Sequence, residues 1–261
     1  MKKIGIIGCG TIGTGIAEYI QKKLKRKAKI IALCDSNALM AWQLSRRIKP
    51  RPIVTDIDEL IKRSDLIIES ASVSVSGQVA KKAVLAGKDV LIMSTGGLLK
   101  KAGLFKKAKL NRCNIYIPSG AICGMDGLRS AMIGRIKKVV LTTRKPPRGL
   151  KGAPYLMAKG IDVDGIKKET VVFEGNAGSA IKYFPQNVNV AATLSLSGIG
   201  PRRTRVRIVT SPKYKRNTHE IEVEGEFGKL WTRTENVPSK NNPKTSQLAV
   251  FSAMSKLKEI L

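Results

Sequence analysis

In the stretch KIGIIGCGTIGTGIAEYI, Gly8, Gly10 and Gly13 stand directly between an apolar run and an amphipathic one. That placement leaves the chain few choices. Gly8 permits a tight turn, Gly10 lets backbone approach a pyrophosphate, and Gly13 allows a helix to pack closely on a strand. Thr11 and Ile12, between those glycines, open the helix whose amides face the anion. The alternation then continues, with AKIIALCD, RPIVT, SDLIIES, KDVLIM and CNIYIP reading as strands and apolar residues at helical spacing between them. Strands buried on both faces read as continuous apolar runs, so a doubly wound parallel sheet of Rossmann type is predicted over 1–118.

Asp35 ends the second predicted strand, 22 positions after Gly13, where a carboxylate can accept from both ribose hydroxyls of an adenosine. Its other available role is to cap the helix that begins near SNALMAW. Asp35 repels a 2′-phosphate and no arginine follows it directly, which favours NAD and leaves NADP open through Ser36, Asn37 and the nearby basic run. Ser70 and Ala71, in ESASVSVSG, follow the fourth strand, and MSTGGLL follows the fifth. Ligands of open α/β sheets bind beyond the carboxyl ends of strands, so Ser70 and Ala71 join the cofactor candidates, although serine and glycine also serve ordinary turns.

After IYIPSGAICGMDGL the pattern changes. IKKVVLTTRKP, KETVVFEG, RRTRVRIVT, THEIEVEG and FGKLWTRT read as strands with polar alternation, and NAGSAIKYFP and NVNVAATLSLSG as helices. The expectation is an α+β domain over 119–241, a mixed and mostly antiparallel sheet with helices on one face, serving substrate binding and dimerisation. NVPSKNNP reads as a loop, and 242–261 as a C-terminal helix folding back on the first domain.

Lysine and arginine number 48 against 19 acidic residues, a net charge of +29 that raises affinity for anions of any kind. A nucleotide-sensing regulator bound to nucleic acid is the alternative of a different class. It calls for a helix-turn-helix, a winged segment or an aromatic platform; none is legible, and aromatic residues make up only 5%. No specific nucleic-acid partner is therefore expected. No run reaches the ~18 apolar residues of a membrane span. Cys9, Cys34, Cys113 and Cys123 lack CxxC spacing, which suits reduced thiols in a cytoplasmic protein and no metal site.

Five segments, GCGTIGTGIA, PSGAICGMDGL, LTTRKPP, FPQNVNVAATLSLSG and RNTHEIEVEGEFG, together resemble the L-aspartate dehydrogenase family, within the two-domain dehydrogenases that include homoserine dehydrogenase and dihydrodipicolinate reductase. The resemblance covers nearly the whole chain. It implies NAD(P)-dependent oxidation of L-aspartate to iminoaspartate, the first step of NAD biosynthesis. A homodimer is expected on separate grounds, because a sheet covered by helices on one face leaves the other needing a partner. The resemblance further implies that His219 is the active-site histidine and that Asn189 and position 123 contact the cofactor. Cys123 departs from the alanine common there, which a backbone contact tolerates better than a packed side chain. Homoserine-dehydrogenase-like or dihydrodipicolinate-reductase-like chemistry is the alternative within enzymes.

His219 is the sole histidine. An imidazole can serve structure alone, hydrogen-bonded in a half-buried strand. Oxidising an amine at its α-carbon, however, requires the ammonium group to lose a proton, and histidine is the side chain whose unperturbed pKa lies near neutrality. A dicarboxylate substrate also needs cations, for which Lys145 and Arg216 are the candidates.

Overall fold

In the computed structural model, the apolar runs of the first half form β1 (Lys2–Ile7), β2 (Ala28–Cys34), β3 (Ile53–Val54), β4 (Leu66–Glu69), β5 (Asp89–Ile92) and β6 (Ile115–Tyr116). Between them lie α1 (Thr11–Lys23), α2 (Ala38–Arg47), α3 (Ile57–Arg63), α4 (Val73–Leu85), a 3₁₀ turn at Thr95–Leu98, and α5 (Gly103–Leu110). The structure describes residues 1–101, 103–184, 188–239 and 242–261. The strands pair in parallel in the order β3-β2-β1-β4-β5-β6, which reverses direction between β1 and β4. This is the doubly wound sheet that the alternation predicts.

The chain divides into two compact units, Met1–Pro118 with Val250–Leu261, and Ser119–Ala249. In the first, Ile4, Ile6, Leu33, Leu66, Ile68 and Leu91 of the sheet share a core with Ile16 and Ile20 of α1. Ala253 and Leu257 join them from the C-terminal helix, and each is fully buried. Lys22 and Lys23 fill the last turn of α1, where cations favour the carbonyl end of the helix.

The second unit begins with α6 (Met125–Ala131) and β7 (Ile136–Lys145), followed by a 3₁₀ turn at Pro147–Gly149 and α7 (Pro154–Ala158). Then come β8 (Thr170–Asn176), α8 (Ala177–Tyr183), α9 (Val188–Ser197), β9 (Thr204–Thr210), β10 (Asn217–Gly225) and β11 (Gly228–Asn236). Their sheet runs β11-β10-β7-β9-β8, with β7 and β9 parallel and the other neighbours antiparallel. Val139 and Leu141 of β7, Val206 and Ile208 of β9, and Ile221 and Val223 of β10 alternate onto one face. There they pack with Leu128, Ala177, Ala180 and Leu194 from three helices. Phe173 and Phe184 meet Tyr155 edge-on or tilted at 5.2 and 5.7 Å between centroids.

The segment expected as a loop, NVPSKNNP, differs in its described part. β12 (Pro238–Ser239) pairs antiparallel with β13 (Asn242–Ser246), and the Ser246 hydroxyl donates to Asn236 Oδ1 at 2.5 Å. Proline is tolerated in so short a strand because no central ladder needs its missing N–H. Lys240 and Asn241 of that segment lie outside the described residues, as do Pro185, Gln186 and Asn187 between α8 and α9. α10 (Gln247–Ile260) follows β13 directly.

Candidate functional site

At the carboxyl ends of β1 and β4 the backbones come very close. A Cβ on Gly8, whose φ is +91°, would lie 2.5 Å from the Ala71 nitrogen, and one on Gly13 would lie 1.9 Å from the Gly8 carbonyl oxygen. Only glycine fits either place. Ser70 Oγ donates to that same Gly8 oxygen at 2.8 Å, tying the loop after β4 to the turn after β1. Around Gly10, by contrast, a Cβ would meet nothing within 4 Å, and Gly10 caps α1 without any side-chain hydrogen bond. Thr11 and Ile12, both half-buried, form the first turn of α1, and Ala71 is exposed.

Asp35 stands just past the end of β2. Cys9 N–H donates to its Oδ2 at 2.7 Å and Asn37 N–H to its Oδ1 at 2.8 Å. The cap of α2 is Asn37, whose Oδ1 accepts from Leu39 N–H, so the capping role open to Asp35 belongs to its neighbour. Each Asp35 oxygen keeps acceptor capacity beyond its one backbone bond. Open space at Gly10, an uncapped helix start and a half-exposed carboxylate on the next strand fit a dinucleotide, its pyrophosphate at the helix and a ribose at Asp35.

A carboxylate absent from the sequence-based candidates sits beside them. Glu69, at the end of β4, is 0% exposed. Its Oε1 accepts from Ala71 N–H at 2.9 Å and its Oε2 from Ser94 N–H at 3.0 Å, joining the carboxyl ends of β4 and β5. Burial pushes its pKa up, and the amide hydrogen bonds oppose that shift. In MSTGGLL, Gly97 serves packing: a Cβ there would lie 2.2 Å from Ser76 Oγ and 2.5 Å from the Val73 oxygen of α4.

In the second unit, His219 lies on β10 opposite Thr143 of β7, on the core-facing side of the sheet, and is 6% exposed. Its Nδ1 is 3.1 Å from Thr143 Oγ1, which fixes the ring plane. With Nδ1 as donor, Nε2 keeps its lone pair. The near-neutral pKa of an exposed imidazole does not survive this burial. Desolvation first, then the charge of Lys145, push it down to about 3, so the ring is neutral at pH 7. Lys145, two residues beyond Thr143 on the same face, is itself lowered to about 8 by burial. The structure thus brings His219, Thr143 and Lys145 together, whereas Arg216 is exposed in the bend before β10.

Cys123 and Asn189 belong to the same unit and are both exposed, Asn189 in the first turn of α9. The loop carrying Cys123 is pinned at Ala121, whose oxygen accepts from Thr234 Oγ1 at 3.0 Å and Asn236 Nδ2 at 3.1 Å. Gly124, at φ +75°, then turns the chain into α6 where a Cβ would strike Thr232 at 2.6 Å. Among the described residues no cluster of histidine, cysteine and carboxylates suits a metal.

The parallel sheet with its glycine turn, and the separate unit bearing a buried histidine, define a class: the two-domain dehydrogenases that use a nicotinamide cofactor. Residues 8–118 match the family model described as homoserine dehydrogenase, NAD binding domain, and residues 126–260 that described as aspartate dehydrogenase, C-terminal. The chain is 49% identical to the L-aspartate dehydrogenase of Methanosarcina mazei and 51% identical to that of Methanosarcina acetivorans, in each case over 100% of this chain and 97% of the relative. The crystal structure of aspartate dehydrogenase from Thermotoga maritima superposes with a TM-score of 0.77 at 26% identity, covering 100% of this chain and 97% of that one. The chain belongs to the L-aspartate dehydrogenase family.

The His219 shift predicts an acid sensitivity. Unfolded, the imidazole titrates near 6.5, and folded, near 3. Between those values the unfolded state binds a proton that the folded state refuses. The stability tied to neutral His219 is therefore complete above about pH 6.5 and is lost as pH falls toward 3, by at most about 1.4 kcal/mol per pH unit. Urea unfolding of the wild type and His219→Gln at pH 7 and pH 5 isolates this effect from that of the carboxylates. The wild type is expected to lose about 1–2 kcal/mol more than the variant; equal losses would mean that the ring is solvated.

Proposed function

We propose that this chain oxidises L-aspartate to iminoaspartate with a nicotinamide cofactor, NAD in preference to NADP, and so supplies the first step of NAD biosynthesis. The observation that carries this reading is the full-length likeness to L-aspartate dehydrogenases, which spans the NAD-binding and the C-terminal parts alike. The match of residues 8–118 to a homoserine dehydrogenase model favours the broader class, and residues 126–260 narrow it.

When bound, the nicotinamide supplies the acceptor for the hydride that leaves the substrate Cα. The chain's own groups do the rest. Gly8, Gly10, Thr11, Ile12 and Gly13 offer backbone to the pyrophosphate, Asp35 accepts from a ribose, and Ser70 and Ala71 border the same strand ends. Cys123 and Asn189 are further proposed cofactor contacts. His219, neutral and held by Thr143, hydrogen-bonds the substrate at its reacting end. Arg216 is the candidate cation for a substrate carboxylate, and Lys145 is the basic group beside His219.

The open face of the second sheet supports a homodimer. Val171 and Trp231, 51% and 57% exposed, stand there among the ion pairs of Arg144 with Glu220 and Lys138 with Glu222. An exposed sheet face of this kind needs a partner or an unusually polar surface. Sedimentation at micromolar concentration is expected to give a dimer, and a monomer there would refute it. A cytoplasmic location is supported by four free cysteines and by the described helices, none long and apolar enough to cross a membrane.

A panel of amino and hydroxy acids with each cofactor, followed by absorbance of the reduced nicotinamide, tests the reaction. Aspartate is expected to be the best substrate; turnover confined to acids without a β-carboxylate would sink the reading. Asp35→Ala is expected to weaken NAD more than NADP, since it removes a ribose acceptor and the repulsion of a 2′-phosphate together. Equal losses in titration calorimetry would show that Asp35 only holds Cys9 and Asn37.

A further inference from the structure

Lys145 ends β7, and strand alternation places its side chain with Thr143 on the face that carries His219. Its position is built. Thr210 Oγ1, from the parallel neighbour β9, donates to the Lys145 carbonyl at 2.8 Å, and the 3₁₀ turn after β7 closes over the stem, with a Cβ on Gly149 falling 3.7 Å from Lys145 Cδ. From β10 the titratable group facing it is His219; from β9, the Thr210 hydroxyl; from the 3₁₀ turn, Gly149, with Arg148 exposed beside it. Arg144 and Glu220, paired with each other, alternate to the opposite face, and Tyr214 sits with Arg144.

An exposed lysine on a chain of net charge +29 would be one more surface cation. Lys145 is instead desolvated beside a histidine that does not titrate near neutrality. On the aspartate reading above, the ammonium proton must go somewhere before hydride can leave Cα. We propose that Lys145 Nζ is the group that accepts it, while His219 positions the substrate nitrogen by a hydrogen bond.

The step balances. The N–H bond of the substrate ammonium breaks, the proton forms the third N–H bond of Lys145, and the electron pair stays on the substrate nitrogen. That pair becomes the second bond of C=N as the hydride leaves Cα. The product is the protonated imine, NADH is formed from NAD, and Lys145 leaves the step as ammonium. A group titrating near 8 is neutral for about a tenth of the time at pH 7 and about half at pH 8, a usable balance of base population and basicity. The rival role is the clamp, in which a charged Lys145 holds a carboxylate of the substrate.

The two roles separate on Lys145→Arg, which keeps the cation but cannot accept a proton in this range. As acceptor, Lys145 requires that the variant lose about 10²–10⁴-fold in kcat, with KM for aspartate nearly unchanged, and that the rise of the wild-type rate through about pH 8 disappear. Lys145→Ala should regain turnover when methylamine is added, more so as pH rises. A readout independent of turnover is NMR of protein labelled at the lysine ε-carbon. The resonance missing from Lys145→Arg should titrate near 8 in the wild type. Retained kcat with a raised KM in the arginine variant, no rescue of the alanine variant by amine, or an unshifted resonance each overturns the proposal. Failure of the wild type to oxidise aspartate sinks the substrate reading and this one with it; normal wild-type turnover with any of those three results sinks Lys145 alone.

Discussion

The first unit hangs on a contact that leaves no room for a methyl group. α1 leaves β1 so tightly that a Cβ on Gly13 would come within 1.9 Å of the Gly8 oxygen, and the loop after β4 crosses close enough to exclude one at Gly8. Ser70 exploits the proximity by donating to that same oxygen. The crossing therefore sets the direction of α1, and with it the direction in which the first amides of the helix point. Glu69 extends the arrangement to β5, since its two oxygens collect one amide from each side of the β4 end. A carboxylate buried in this way costs desolvation energy, and the two amide bonds offset part of it. Rigidity at the strand ends is what that cost secures.

In the second unit desolvation acts on two neighbouring basic groups. Burial opposes positive charge on both His219 and Lys145, and the charge on one lowers the pKa of the other. The two groups do not share the burden equally. The imidazole, buried and hydrogen-bonded to Thr143, is pushed to about 3, while the amine at the end of β7 stops at about 8. The pair thereby sorts into a group that keeps one protonation state across the working range and a group that changes it. Groups whose environments drive their pKa values apart are the usual mark of divided acid–base labour.

Much of this was legible in the sequence, for physical reasons that differ between the units. The glycine turn and the apolar strands of the first unit are local signals, because each residue's role depends on its immediate neighbours. Asp35 is legible for the same reason, by its distance from Gly13. Glu69 was not: ending the apolar run DLII, it looks like a surface residue, and only the pairing of β4 with β5 shows that both its oxygens are enclosed. Thr143 likewise reads as one more β-branched strand residue until β10 is laid against β7. His219 was conspicuous by being alone, but its protonation state depends on burial that no linear spacing carries. The strand pair β12–β13 was hidden by its proline and asparagines, which read as a loop.

The excess of basic residues makes the placement of the few acidic ones informative. With 19 carboxylates against 48 cations, most lysines and arginines cannot be paired one to one. Glu220, Glu222 and Glu224 nevertheless gather on one face of the second sheet, where they pair with Arg144, Arg233, Lys138 and Lys229. Strand alternation puts His219, Ile221 and Val223 on the other face, so the same strand β10 carries its negative charge away from the side that holds Lys145. In the first unit, Asp35 and Glu69 are likewise bonded to backbone amides, Asp35 to those of Cys9 and Asn37 and Glu69 to those of Ala71 and Ser94. Negative charge thus serves the scaffold in both units. The His219 face of β10 carries none of the carboxylates of Glu220, Glu222 and Glu224.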